Sequence, residues 1–553
     1  MSESVIADAR DCAEAPCVKI EEALDEVRQL KLRVGELERQ NLLQGEEIRL
    51  MKLREHGQSS EKLTADDIRQ GKLFDEAELY STSNEDRAAT EEVRITKTVY
   101  TRRKRGRKPI SPKLSRIEVI VDLSETEKTV GEGYELQKIG EEVSEQVHEV
   151  PQKYIVIRTI RPKYVVKSVA TVAHEEEERQ IRVAPLPPRI LPRSIATPSL
   201  LAAVLIGKFC DGLPFYRQER TFARHGLEIS RQDMANWAIA VAKKLEGLIE
   251  LMRTELLGST YLHCDETFFQ VMDEPGRSNT SQSYMWVTTG GTGKARVALY
   301  QYSRTRSSAF VKDFLATYRG YLQTDGYDGY TAIGEKEGIV HVGCWAHARR
   351  KFVEALKIAQ GESSAAEMIA LIGALYEIER ELRIKFFREG GPGNEAAFLR
   401  SRREAVIPIL GKIEAYLTAK SIEVPPQTAL GKAIAYTREM WPRLIRYIEC
   451  SYLTPDNNEA ERAIRPFTIG RKNWVISGGP RGAFASATLY SFIETTKLCG
   501  LEPYYYLRYV LTKLPTTDPQ SIPSLLPWNV DTAGFGELTA EDARLSIDSI
   551  PIT

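Results

Sequence analysis

Cysteine is sparse and scattered in this chain. Its seven cysteines (Cys12, Cys17, Cys210, Cys264, Cys344, Cys450, Cys499) are odd in number and nowhere form two CxxC pairs. That excludes a disulfide framework and a zinc ribbon. No uninterrupted apolar run is long enough to span a bilayer, and the opening "MSESVIADARDCAEAPC" lacks the basic-then-apolar pattern of a secretory signal. An intracellular protein is expected. Net charge is lacking too: 76 Lys and Arg against 77 Asp and Glu leave −1, which argues against a uniformly basic surface. With 553 residues the chain exceeds what one core usually holds, so several domains are expected.

Charge is instead segregated along the chain. After a short segment expected to be disordered (1–18), apolar residues recur at coiled-coil spacing within 19–55. Ile20, Val27, Val34 and Ile48 share one heptad position, and Ala23, Leu30, Leu37 and Met51 the other. Asn41 and Gln44 interrupt the two sets, as polar residues that fix register do, so a homo-oligomer through a parallel coiled coil is expected. Residues 56–116 read as a linker, acidic at first and then basic in "RITKTVYTRRKRGRKPISPKLSR". Arg102, Arg103, Lys104, Arg105, Arg107 and Lys108 in that stretch suit contacts with DNA phosphates or a narrow minor groove, and equally suit a solvated basic linker.

Alternating Val- and Ile-rich runs over 117–185 predict a small β domain. Residues 186–256 read as helical. There "LPFYRQERTFARHGLEISRQDMANWAIAVA" offers a helix, a break at Gly226, an N-cap at Ser230 and a second helix, the layout of a helix-turn-helix.

The stretch "YLHCDETFF" (261–269) sets Asp265 and Glu266 behind a run with strand character. Strands often meet water with polar residues, but clustered carboxylates also hold Mg²⁺ or Mn²⁺ against a phosphate. Two further strand-like runs follow, "SYMWVTTGG" and "ARVALYQYS", and then a helix near 308–318. "GYLQTDGYDGY" ends a fourth strand at Asp325, and "IVHVGCWAHARRKFVEAL" gives a fifth running into a helix. This order is that of a ribonuclease-H-like α/β fold, in which the first and fourth strand ends are neighbours and Asp265 and Asp325 share a metal. The core is read as 257–355 and 451–500, split by a helical insertion at 356–450 and followed by a C-terminal segment, 501–553. In "YLTPDNNEAERAIRPFTIGRKNWVISG", residues 456–458 start a helix whose first turns carry Glu459 and Glu461, either of which supplies a third carboxylate. The spacing of His341, Cys344 and His347 is ligand-like. On a strand-to-helix turn these side chains point different ways, so His347 is expected, with Arg349, Arg350 and Lys351, to line DNA instead.

The motifs "GRKP", "IGEEVSEQ", "RPKY", "DGLPFYRQE", "HCDET", "TDGYDGY", "GCWAHARRKF", "DNNEAERAIRPFTIGRKNW" and "SFIETTKLCGLEPYYYL" occur in order from about 105 to 529. Across that span the chain resembles the transposases of the insertion-sequence-sixty-six group. The resemblance implies a catalytic triad of Asp265, Asp325 and Glu461, Glu461 being preferred because the family's glutamate stands just before "RAIRP". It further implies Mg²⁺ or Mn²⁺ as cofactor, two ions, with cleavage and strand transfer at element ends. DNA and accessory proteins encoded alongside are the expected partners, with no membrane, in the cytoplasm and at the nucleoid when DNA-bound. Arg462, Arg465, Arg471 and Lys472 would neutralise phosphates, and Trp474 would stack on a base or join the core. The family's cysteine-rich zinc site has no cysteine here, so no structural zinc is expected. Two alternatives stay open: a transposase-derived DNA-binding protein without activity, and a nuclease of the same fold that hydrolyses without joining.

Overall fold

A computed structural model describes residues 24–41, 43–49, 51, 154–165, 181–359, 364–388 and 394–538. The basic segment at 102–108 and most of the expected β domain lie outside the described residues. Two units divide the chain, Met1–Tyr80 with Arg161–Thr553, and Ser81–Ile160. In the second, residues 154–160 are extended without regular pairing. In the first, residues 24–41 and 43–49 are helical, with Val27, Leu30, Val34, Leu37, Ile48 and Met51 exposed. Arg39 and Glu46 of this helix hydrogen-bond Gln427 and the Ala429 N–H.

Strands β1 (Lys163–Val165) and β2 (Ile181–Val183) form an antiparallel pair. Helices α1 (Pro198–Phe209), α2 (Phe215–Arg224) and α3 (Arg231–Leu257) follow. Each boundary has a local cause. Thr197 caps α1 with Pro198 in its first turn. Gly226 takes φ +75° past the end of α2, and Ser230 accepts the Asp233 N–H at the start of α3. Along α3, Met234, Ala238, Val241, Leu245, Leu248 and Met252 form a buried stripe at helical spacing.

The central sheet is mixed. It comprises β3 (Tyr261–Val271), β4 (Gln282–Gly290), β5 (Val297–Ser303), β6 (Gly320–Gln323) and β7 (Ile339–Val342), in spatial order β5-β4-β3-β6-β7. β3, β4 and β5 are an antiparallel meander, whereas β6 and β7 run parallel to β3. Helix α4 (Ser308–Phe314) connects β5 to β6. α5 (Trp345–Ala359) leaves β7, and α6 (Ser364–Arg383), α7 (Glu395–Glu423) and α8 (Ala429–Leu444) build a second core around Trp345, Phe352, Met368, Leu375, Val406 and Leu444.

The chain then returns to the sheet with α9 (Asn458–Trp474), β8 (Ile476–Ser477, parallel to β3), α10 (Pro480–Leu498) and α11 (Pro503–Lys513). α10 covers the free edge of β5. Its Ser491 and Thr495, one helical turn apart, accept the Tyr300 and Ala298 N–H groups at 2.7 and 3.1 Å, and Thr495 donates back to the Ala298 carbonyl. An edge strand that would otherwise bury unpaired amides is thereby satisfied by side chains.

Candidate active site

The parallel pairing of β3 with β6 matches Leu262 to Leu322 and His263 to Gln323. Asp265 lies two residues beyond that pairing on β3 and Asp325 two residues past the end of β6, close enough for its charge to act on Asp265. Asp265 lies mid-strand, and alternation puts it on one face with His263 and Thr267, while Cys264 and Glu266 take the other.

The two adjacent carboxylates at 265 and 266 have different surroundings. Glu266 is engaged: it accepts from Arg306 Nε at 2.8 Å and from Tyr330 Oη at 2.6 Å. Burial pushes its carboxyl up, against these donors. Asp265 has only the Glu266 backbone N–H, at 2.9 Å. Its carboxyl is driven well above the usual range, first by burial and then by the negative charges of Glu266, Glu461 and Asp325. Asp325 Oδ1 accepts the Tyr327 N–H at 3.0 Å in an Asx turn.

Glu459 and Glu461 differ in the same way. Glu459 accepts from Arg296 Nη2 at 3.0 Å and lies 3.9 Å from His263 Nε2. Burial alone would raise its carboxyl, but His263, Arg296 and Arg462 together hold it below the ordinary range. Glu461 instead points its Oε1 at His347 Nδ1 across 3.8 Å, and neither buried atom has a hydrogen-bond partner. The imidazole of His347 is biased to its neutral form by burial, against the pull of Glu461 and Asp325. The negative charges of Glu461 and Asp325 thus both act on Asp265, with donor atoms of Cys344, His347 and Glu461 within 4.8 Å of one another beside them.

Several expected residues sit elsewhere. Arg349 turns inward and is 8% exposed, its charge disfavoured by burial, so it does not line a DNA-facing surface. Trp474 belongs to the core, edge-on to Phe467 at 5.4 Å and Phe269 at 6.4 Å. Arg350, Lys351, Arg462, Arg465 and Lys472 are exposed. Arg471 donates to Thr267 Oγ1 at 3.0 Å and lies over the Phe268 ring. His341 bonds Thr324 Oγ1 at 2.9 Å, and burial lowers its pKa to about 3. The residues that hold the site from behind, His263, Tyr330, Arg306 and Asn457, were not picked out from the sequence. The i, i+2 spacing of His263 and Asp265 was the available signal.

Comparisons with known proteins agree across the chain. Residues 193–485 match the Transposase IS66 family, 491–528 the IS66 C-terminal element, 44–119 the segment described as Transposase C of IS166 homeodomain, and 130–165 the zinc-finger binding domain of transposase IS66. Three uncharacterized proteins of Sinorhizobium fredii (strain NBRC 101917 / NGR234) are similar. y4jD is 32% identical over 407 residues, 71% of this chain and 76% of the relative. y4qI is 31% identical over 446 residues, 78% and 79% of the two chains. y4hP is 28% identical over 508 residues, 87% and 88%.

A mixed α/β protein with a family-wide match over more than half its length is a transposase-type protein. The chain belongs to the Transposase IS66 family.

The match over 130–165 corrects the expectation that no structural zinc belongs to this chain, because the family's zinc-finger region is present. The expectation rested on the missing cysteines of the zinc site, with the β domain itself retained. The matched stretch offers His148 and several glutamates as metal-capable side chains, outside the described residues. A second metal-capable group lies at the candidate site, where donor atoms of Cys344, His347 and Glu461 fall within 4.8 Å of one another. His341 is not part of it, being tied to Thr324.

Proposed function

We propose that the chain cuts and joins DNA at the ends of its insertion sequence, with Asp265, Asp325 and Glu461 as the metal-holding triad of a ribonuclease-H-like core. The sheet order and its mix of antiparallel and parallel pairs support that fold reading. The observation that carries the triad is selective engagement. Glu266 and Glu459 are held by arginines, whereas Asp265 feels the charges of Glu461 and Asp325 and the buried Glu461 Oε1 has no hydrogen-bond partner.

A pair of Mg²⁺ or Mn²⁺ ions held by these carboxylates would neutralise phosphate charge and polarise the reacting oxygens of an in-line displacement. The protein's own part is placement. In this reading β3 carries Asp265, Asp325 follows the end of β6 by two residues, and the first turn of α9 carries Glu461. His347, in its neutral form, is positioned beside Glu461 to accept or pass a proton near the scissile phosphate. Exposed Arg350, Lys351, Arg462, Arg465 and Lys472, together with Arg471, supply phosphate-neutralising charge. The apolar stripe Val27, Leu30, Val34, Leu37, Ile48 and Met51 is exposed in the single chain and is the surface on which a second copy pairs. Accessory proteins encoded alongside act with it. Among the described residues no helix is long and apolar enough to cross a membrane.

The test is a Mg²⁺-dependent assay on labelled DNA carrying the element's ends. Asp265→Asn, Asp325→Asn and Glu461→Gln should each abolish cleavage and joining while leaving end binding intact. Binding without cleavage by the wild type, even with accessory proteins added, would identify a DNA-binding remnant; cleavage without joined products would identify a nuclease.

A further inference from the structure

Asn457 stands at the N-cap of α9, where an asparagine side chain normally accepts an N–H of the first turn. Here it does not. The Asn457 side chain makes no capping bond, and Asp456 Oδ1 takes the Asn458 N–H at 3.1 Å instead. The amide of Asn457 is turned to β3, donating through Nδ2 to the Cys264 carbonyl at 2.8 Å and meeting His263 Nδ1 with Oδ1 at 3.0 Å. Its backbone is equally committed. The Asn457 N–H donates to Cys344 Sγ at 3.2 Å, and its carbonyl accepts the N–H groups of Ala460 and Glu461. Asn457 and His263 are each 1% exposed and Cys264 is 4% exposed, so water does not replace these bonds.

Three parts of the site therefore meet on one residue. The accepted carbonyl is one peptide bond from Asp265, and the bonded N–H is that of Glu461. The sulfur belongs to the turn that carries His347. We propose that Asn457 is the positioning residue that sets the Asp265-to-Glu461 separation, and with it the affinity of the site for its divalent cation; the inference rests on the triad reading above. The neighbouring links through Glu459 run to Arg296 and His263 and are made by a charged carboxylate, not by a neutral amide.

Because Nδ2 is committed to a carbonyl, Oδ1 faces His263 and requires a proton on His263 Nδ1. An asparagine at 263 places its amide nitrogen near that Nδ1, so His263→Asn keeps the link. Outer partners of this kind change metal affinity by about 10- to 100-fold when removed.

The experiment is Mn²⁺ titration calorimetry on the full chain without DNA, comparing wild type, Asp265→Asn, Asn457→Ala, Asn457→Asp and His263→Asn, with a thermal melt of each. Asn457→Asp preserves volume but sets an oxygen against the Cys264 carbonyl, so it reports even where Asn457→Ala does not fold. The expected result is Mn²⁺ binding weakened about 10- to 100-fold in both Asn457 variants and retained in His263→Asn. Wild-type Mn²⁺ affinity in a folded Asn457 variant, with Asp265→Asn impaired, overturns the positioning role alone. Equal binding by wild type and Asp265→Asn overturns the triad reading beneath it.

Discussion

Replacing Arg402 with methionine should loosen the route into the active site without touching it. The Arg402 side chain is fully buried on α7, with Nη2 2.7 Å from Glu379 Oε1. It also donates to the carbonyls of Tyr447, Cys450 and Leu453 at 2.8, 2.9 and 3.1 Å, and packs over Phe398. Those carbonyls belong to the segment that leads from the inserted helices into α9 and Glu461. Methionine fills much of the volume and supplies no donor. Removing one partner of a buried ion pair costs about 3–5 kcal/mol, and Arg383, 2.7 Å from the same Glu379 oxygen, offsets part of it. A loss of about 3 kcal/mol is the working figure. Converted at 1.4 kcal/mol per factor of ten, that is roughly 100-fold faster hydrogen exchange for amides of 445–460 that open locally. The neighbouring Arg403 is exposed, and Arg403→Met serves as the control, expected to change stability by less than about 0.5 kcal/mol. Exchange in Arg402→Met that matches Arg403→Met across 445–460 would refute the reasoning.

Glu459→Gln, which breaks the half-exposed pair with Arg296, should cost about 1–2 kcal/mol in stability yet leave measurable DNA cleavage, whereas Glu461→Gln should melt normally and cut nothing; the opposite pattern in a cleavage assay with paired melts exchanges the two assignments. His341, held neutral with a pKa of about 3, contributes stability that is complete above its unfolded pKa near 6.5 and declines as pH falls toward 3, by up to about 1.4 kcal/mol per unit. His341→Gln, which keeps a donor near Thr324, should flatten that acid limb in denaturant titrations at pH 4 and 7. Val475 ends α9 at φ +64° while 64% exposed, so Val475→Gly should relieve strain and raise the melting free energy by about 1 kcal/mol, a gain that thermal unfolding will read directly.

The sequence alone carried the family and the central sheet a long way, for physical reasons. β-Branched and aromatic runs bounded by glycine mark strands, and long motifs in fixed order survive without any knowledge of packing. The choice of Asp265 over Glu266 was not legible from the residues, since adjacent carboxylates differ only in what the fold brings to each; Arg306 and Tyr330, 40 and 64 positions away, engage one and leave the other. The zinc expectation failed for a related reason. It equated the absence of one ligand type, the cysteine thiolate, with the absence of structural zinc. Arg349 was misjudged because a basic run on a helix must put some of its members on the inner face, and no charge count says which.

The Asp265 and Glu461 elements are 196 positions apart, with the inserted helices between them, and this spacing has a consequence for synthesis. β3 and β6 are complete before the insertion is made, but α9 emerges only after it. At about 5–20 residues per second, roughly 10–40 s separate translation of the two ends of the site. A nascent or truncated chain lacking α9 holds Asp265 on β3 and Asp325 just after β6, without Glu461. On the triad reading, the proposed cutting centre is incomplete until α9 has been made, and chains terminated before α9 lack one of its three carboxylates.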